Sequence, residues 1–136
     1  MSDEYDLNIA VLCAAWNAET SASPEEWSKA NPSRGQCAIT ACVIQDALEG
    51  RLIRCVVTYP DGREESHYAN LLANDVIYDL TASQFPEGCE FGPWEERTRE
   101  YVLGYPATLA RYNLYVQRIE GARVALNIQE GGVPAT

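Results

Sequence analysis

The chain has one histidine, His67. General-base chemistry near neutral pH would fall to it, because imidazole is the side chain whose ordinary pKa lies nearest. In a Cys–His reaction the partner attacks as a thiolate. Of the five cysteines, Cys13, Cys37, Cys42, Cys55 and Cys89, only Cys37 opens a predicted helix. Unpaired backbone N–H groups and the positive end of the helix dipole favour a thiolate there. Cys42 falls inside the same helix, Cys55 inside a strand and Cys13 late in the first helix. The amides around Gly35, Gln36 and Cys37 could form an oxyanion hole, with Gly35 letting the backbone come close to a substrate.

Asp79 is the third candidate, informative because strands disfavour aspartate. Its relation to His67 depends on register. If Ala73, Asn74 and Asp75 are all loop, residue 72 pairs with 76, 69 with 79 and 67 with 81. Asp79 then lies diagonally from His67 on one sheet face. A loop one residue shorter sends the aspartate to the opposite face. Asn74 tolerates the left-handed conformation that the longer loop needs, so the longer loop is adopted. A carboxylate there would fix the imidazole tautomer and stabilise the imidazolium. The plainer reading is that a cysteine on an apolar helix face and a histidine in a strand are packing residues.

The elements that must position these groups follow from pattern. Residues 3–18 read as an amphipathic helix. Ser23-Pro24-Glu25-Glu26 reads as a capping box opening a short helix with Trp27. Asn31–Gly35 is a loop, and Gln36–Glu49 is the clearest helix, with Cys37, Ala41, Ile44 and Leu48 on one stripe and Gly50 ending it. Leu52–Tyr59, Arg63–Leu72 and Val76–Leu80 read as strands, the first two joined by the turn Pro60-Asp61-Gly62. Pro93 and Pro106 each read as a helix start, the second helix running over about 106–120. Val124, Leu126 and Ile128 alternate as a last strand would, and the tail after them reads as frayed. The expected fold class is α+β, N-terminal helices packed on an antiparallel sheet, with residues 1–128 as one domain and 129–136 as a flexible tail.

A length of 136 residues suits one core. The net charge of −10, with Lys29 the only lysine, argues against a nucleic-acid surface. No run approaches the roughly 20 apolar residues of a membrane span. The N-terminus MSDEYDLN is acidic where a secretory leader would be basic. An odd cysteine count then reads as reduced thiols in a cytoplasmic protein rather than a disulfide frame. Cys37 and Cys42 lack the short spacing of a zinc pair, so neither metal nor cofactor is expected. Glu25-Glu26, Glu64-Glu65 and Glu95-Glu96 read as solvated faces.

The strings Asn31-Pro32-Ser33-Arg34-Gly35-Gln36-Cys37, His67-Tyr68-Ala69-Asn70 and Asp79-Leu80-Thr81-Ala82-Ser83-Gln84-Phe85 resemble the YunG-like family of bacterial proteins. Trp27 and the stretch Arg97–Tyr112 fit that pattern too, so the resemblance covers roughly residues 7–116. More distantly, Cys at a helix start, His on a strand and Asp on the next strand resemble the papain-like and transglutaminase-like superfamily. That likeness implies nucleophile, base and orienting roles for Cys37, His67 and Asp79. It makes Gln36 and Gln84 candidates for the site wall or oxyanion contacts, with Asn70 beside them. One departure is Ala69, where the superfamily pattern implies a tryptophan two places after the histidine. The implied activity is thiol-dependent acyl transfer or hydrolysis of a peptide, amide or other small acyl substrate. The alternative is a non-catalytic binding module on the same fold.

Overall fold

A computed structural model describes residues 8–130. Helix α1 (Ile9–Ala14) is opened by Asn8, whose side chain accepts from the Val11 N–H, as an N-cap should. Helix α2 (Cys37–Leu48) leads through a tight turn at Glu49 and Gly50, both at positive φ, into strand β1 (Arg51–Thr58). Strand β2 (Glu64–Leu71) returns antiparallel, setting Cys55 opposite His67 and Ile53 opposite Ala69. The short strand β3 (Ile77–Tyr78) then pairs with β2.

The β2–β3 register is the one in which Ala73–Asp75 form the loop. Asn70 faces Tyr78, Leu71 faces Ile77, and the Leu72 N–H donates to the Val76 carbonyl at 2.7 Å. The loop is a 3-10 turn with Asn74 at φ 66°, ψ 20°. That is the left-handed region which asparagine tolerates better than most residues.

Two short strands, β4 (Glu90–Phe91) and β5 (Glu95–Arg97), pair antiparallel with the other edge of β1, β4 near its end and β5 near its start. Between them the Gly92 N–H donates to the Val56 carbonyl. Helix α3 (Arg99–Leu103) follows, capped by the Thr98 side chain, and helix α4 (Pro106–Glu130) runs on from it. The architecture is α+β, helices against a curled antiparallel sheet. One apolar cluster joins α1, α2 and α4 through Leu12, Trp16, Ile39, Ile44, Tyr115 and Ile119. A second joins α2, the sheet and α3 through Ala41, Cys42, Leu52 and Val102. Two buried polar ends in the first cluster are satisfied: Trp16 Nε1 donates to Thr40 Oγ1, and the Tyr115 hydroxyl to the Leu12 carbonyl.

Four sequence expectations are corrected. The strand over Val124–Ile128 is the continuation of α4. The stripe Tyr115, Ile119 and Ala122 packs on the first cluster and anchors the helix that far. Pro93 starts no helix: β5 takes up the exposed edge of β1, and α3 waits for the Thr98 cap. Ser23 makes no capping hydrogen bond, and Pro24–Glu26 is a single 3-10 turn whose Glu26 is drawn instead to Arg34. Leu48, expected on the buried stripe of α2, is exposed. The first turn of the helix expected from residue 3 lies outside the described residues, as do residues 131–136 of the tail expected over 129–136, while residues 129 and 130 continue α4. Within the described residues no helix is long and apolar enough to cross a membrane.

Because the loop conformation at residue 74 sets which face Asp79 occupies, its backbone should be sensitive to side-chain type. Asn74→Gly should leave the urea midpoint nearly unchanged. Asn74→Val should cost about 1–2 kcal/mol in the same titration, since a β-branched side chain resists positive φ.

Candidate active site

Cys37 is the first residue of α2, and the segment before it is held from several sides. Gly35 sits at φ +76°, and a Cβ there would meet Ser21 Oγ at 2.2 Å, so only glycine fits. Ser21 Oγ donates to the Arg34 carbonyl at 2.7 Å, and the Gly35 N–H donates to Gln84 Oε1 at 3.0 Å. Arg34 is buried and gives its guanidinium to Glu26 at 2.6 Å, to both oxygens of Glu65 and to Gln84 Oε1. The Tyr59 hydroxyl completes the cluster by donating to Glu65. Burial opposes the charge on Glu65, but the hydrogen bonds from Arg34 and Tyr59 outweigh it and hold this carboxyl below its usual range. Of the glutamates expected to be solvated, Glu65 is half-buried under this clamp, while Glu26 stays exposed and reaches in to pair with Arg34.

His67 is fully buried. Phe85, Phe91 and Trp94, all from the segment after β3, surround its ring at centroid distances of 4.9, 5.5 and 5.9 Å. Asp79, just past β3, places its two carboxylate oxygens 2.9 and 2.8 Å from Nε2. The Nε2–H therefore donates to Asp79, and in the neutral ring Nδ1 is left as the acceptor. Nδ1 is buried and makes no hydrogen bond. Burial works against the imidazolium, but Asp79 and Cys37 outweigh it and push the pKa up to about 9.

The structure brings Cys37, His67 and Asp79 together and gives the other candidates different surroundings. Gln36 is buried with its amide donating to the Asn17 carbonyl and accepting from Thr20, so its side chain faces the α1–α2 connection and offers nothing to an oxyanion. Gln84 braces Arg34 and Gly35 from behind. Asn70 is buried and donates to the Ala41 carbonyl at 2.9 Å, tying β2 to α2. With no side-chain cap at Gln36, the orphan N–H groups of the first turn, at Cys37, Ala38 and Ile39, are the donors that remain. All three residues line a cavity of about 180 Å³, together with Gly35, Glu65 and Arg111. An adjoining cleft of about 290 Å³ shares Ala38, Ser66, Tyr68 and Thr108 with it and reaches Arg54, Tyr101 and Tyr105.

Sequence reasoning missed Arg111, the clamp around Arg34 and the aromatic cover of His67. Ala69, where a tryptophan was sought, packs buried opposite Ile53. The other thiols are differently placed. Burial pushes Cys42 and Cys55 up to about 11 and raises Cys13 as well.

The family model described as YunG protein matches residues 5–123 of the chain. A protein of Bacillus subtilis (strain 168), described as uncharacterized protein YunG, is 35% identical over 81 residues, 60% of this chain and 63% of that relative. The match thus spans less than two thirds of the relative's length. No solved structure matches.

The raised pKa of His67 has a consequence for stability. A group bound more tightly to its proton when folded contributes stability below its unfolded pKa of about 6.5, and loses it as pH rises through the folded value of about 9. Urea titrations should show the wild-type chain losing up to about 3 kcal/mol between about pH 6 and 10 relative to His67→Gln. A wild-type and variant pair with parallel pH profiles would contradict the charge assignment.

Proposed function

We propose that this chain, which belongs to the YunG protein family, is a thiol-dependent acyl transferase or hydrolase with a papain-like or transglutaminase-like core. One observation carries the reading. The sole imidazole gives its Nε2–H to the Asp79 carboxylate, and the thiol at the head of α2 is among the groups that favour its charged form. Cys37 Sγ would attack the carbonyl carbon of an amide or ester, and the charge on the carbonyl oxygen would be met by the first-turn amides of α2. Collapse breaks the C–N or C–O bond, with His67 giving its proton to the departing amine or alkoxide. Water or an acceptor amine, losing its proton to His67, then attacks the thioester and releases Cys37. Asp79 would keep the ring oriented and the imidazolium stabilised throughout. Peptidase, amidase, deamidase and transglutaminase reactions all share these steps.

Five free cysteines among the described residues fit a reducing compartment, and we assign the reaction to the cytoplasm on that ground. The rival reading, a non-catalytic binding module, draws on Nδ1, which has no hydrogen-bond partner.

Thiol reactivity separates the two. With peptide mass spectrometry as the readout, iodoacetamide at about pH 6.5 should label Cys37 about tenfold or more faster than N-acetylcysteine. His67→Ala should erase the advantage. A Cys37 no faster than the free thiol would favour the binding module.

A further inference from the structure

The proposed reaction leaves one cation of the cavity without a role. Arg111, on α4, lines the same space as Cys37. Its Nε is buried with no hydrogen-bond partner, and its Nη2 reaches only Thr108 Oγ1, at 3.3 Å. Among the described residues no carboxylate forms an ion pair with it. Glu65 lines the same cavity, but its two oxygens are already taken by Arg34 and Tyr59. In a chain with 20 acids and 10 bases, carboxylates are plentiful, and a half-buried guanidinium without one is a desolvation cost left uncompensated. Burial pulls the Arg111 pKa down accordingly.

An anion entering the cavity would remove that cost. The guanidinium suits a carboxylate, which it can engage through parallel N–H donors. The space beside Cys37, about 180 Å³, holds only a short fragment, so the anionic group and the reacting carbonyl must be close neighbours. The remainder of a longer molecule has room in the adjoining cleft, past Tyr68 towards Tyr101 and Tyr105.

Building on the reading of Cys37 as nucleophile, we propose that Arg111 is the substrate-binding residue for a carboxylate, and that the substrates are amides or esters carrying a free carboxylate within a few bonds of the scissile carbonyl. A competing role for Arg111 is to steady a thiolate at Cys37, since its charge and the sulfur lie within electrostatic reach. The two roles differ in whether the attacking reagent's own charge matters.

Iodoacetate and iodoacetamide deliver that comparison. Each loses iodide as Sγ bonds to the methylene carbon, but only the first carries a carboxylate. In the wild-type chain the iodoacetate-to-iodoacetamide rate ratio at Cys37 should exceed that of N-acetylcysteine. Arg111→Gln should lower the ratio about tenfold, in line with loss of a charge-assisted pair. A ratio unchanged by the substitution, with both rates falling together, would overturn the proposal in favour of thiolate support. The wild-type chain supplies a second test that does not depend on the variant folding. Succinate should protect Cys37 from iodoacetamide with saturation, and succinamide should not. Absent or equal protection by the two overturns the proposal. Should Cys37 react with iodoacetamide no faster than N-acetylcysteine while the rate ratio and succinate protection persist, the nucleophile reading falls and the carboxylate site stands.

Discussion

An imidazole sealed among three aromatic rings has no water to share its proton with, so the hydrogen bond from Nε2 to Asp79 is the constraint around which the sheet is arranged. Without the carboxylate, burial would neutralise the ring. With it, the charged form is favoured well above the ordinary histidine range. That single contact requires Asp79 and His67 on one face, which requires the β2–β3 register, which in turn requires a loop with two successive residues at positive φ, Asn74 and Asp75. The chain then doubles back so that Phe85, Phe91 and Trp94 close over the ring. The cover is built after the contact it protects in chain order, but the two depend on each other energetically.

A second buried charge does for the sulfur what Asp79 does for the imidazole. Arg34 gathers Glu26, Glu65 and Gln84 around it, and the loop it belongs to delivers Cys37 to the head of α2. A buried ion cluster of this kind adds little net stability over an apolar filling. Its effect here is geometric, because Gln84 accepts from both the Arg34 guanidinium and the Gly35 backbone. The segment that covers His67 and the loop that presents Cys37 are therefore pinned to each other through the Gln84 amide, alongside the Asn31–Gln84 and Ser33–Ser83 hydrogen bonds. Sulfur and ring cannot drift independently.

Much of this was legible in the sequence where the signal is local. The helix beginning at Cys37, the two long strands and the left-handed loop at Asn74 all announce themselves in a few adjacent residues. The His67–Asp79 relation followed because a sheet's period of two makes register an all-or-none matter. What was not legible depends on partners distant in the chain. β4 and β5 are two and three residues long and exist because β1 has an open edge. Gln36 and Gln84 sit beside the site in sequence pattern, but Thr20 and Arg34 decide where their amides point. Glu26 and Glu65 looked like surface charge until a buried arginine claimed them. Arg111 carries no motif, and only the packing of α4 brings it to the cavity.

That last dependence shapes how the site is assembled. The cavity walls come from the loop at residues 22–35, from the start of α2, from β2 and from α4, so no local segment contains it. α4 is fastened to the cluster it shares with α1 and α2 through Tyr115 and Ile119, about one and two turns beyond Arg111. His67 and Asp79 are held by the sheet and its aromatic cover, whereas Cys37 heads α2, which packs on α4 through Ile39 and Ile44. Holding the imidazole on its carboxylate and holding the guanidinium are thus separate structural tasks. A loosened α4 would widen the cavity and displace Arg111 while leaving the imidazole on its carboxylate. Under the proposed function, selectivity among acyl substrates can then change through the helix face at Thr108 and Arg111 without disturbing the imidazole and its carboxylate, because the sheet holds these and α4 holds Arg111.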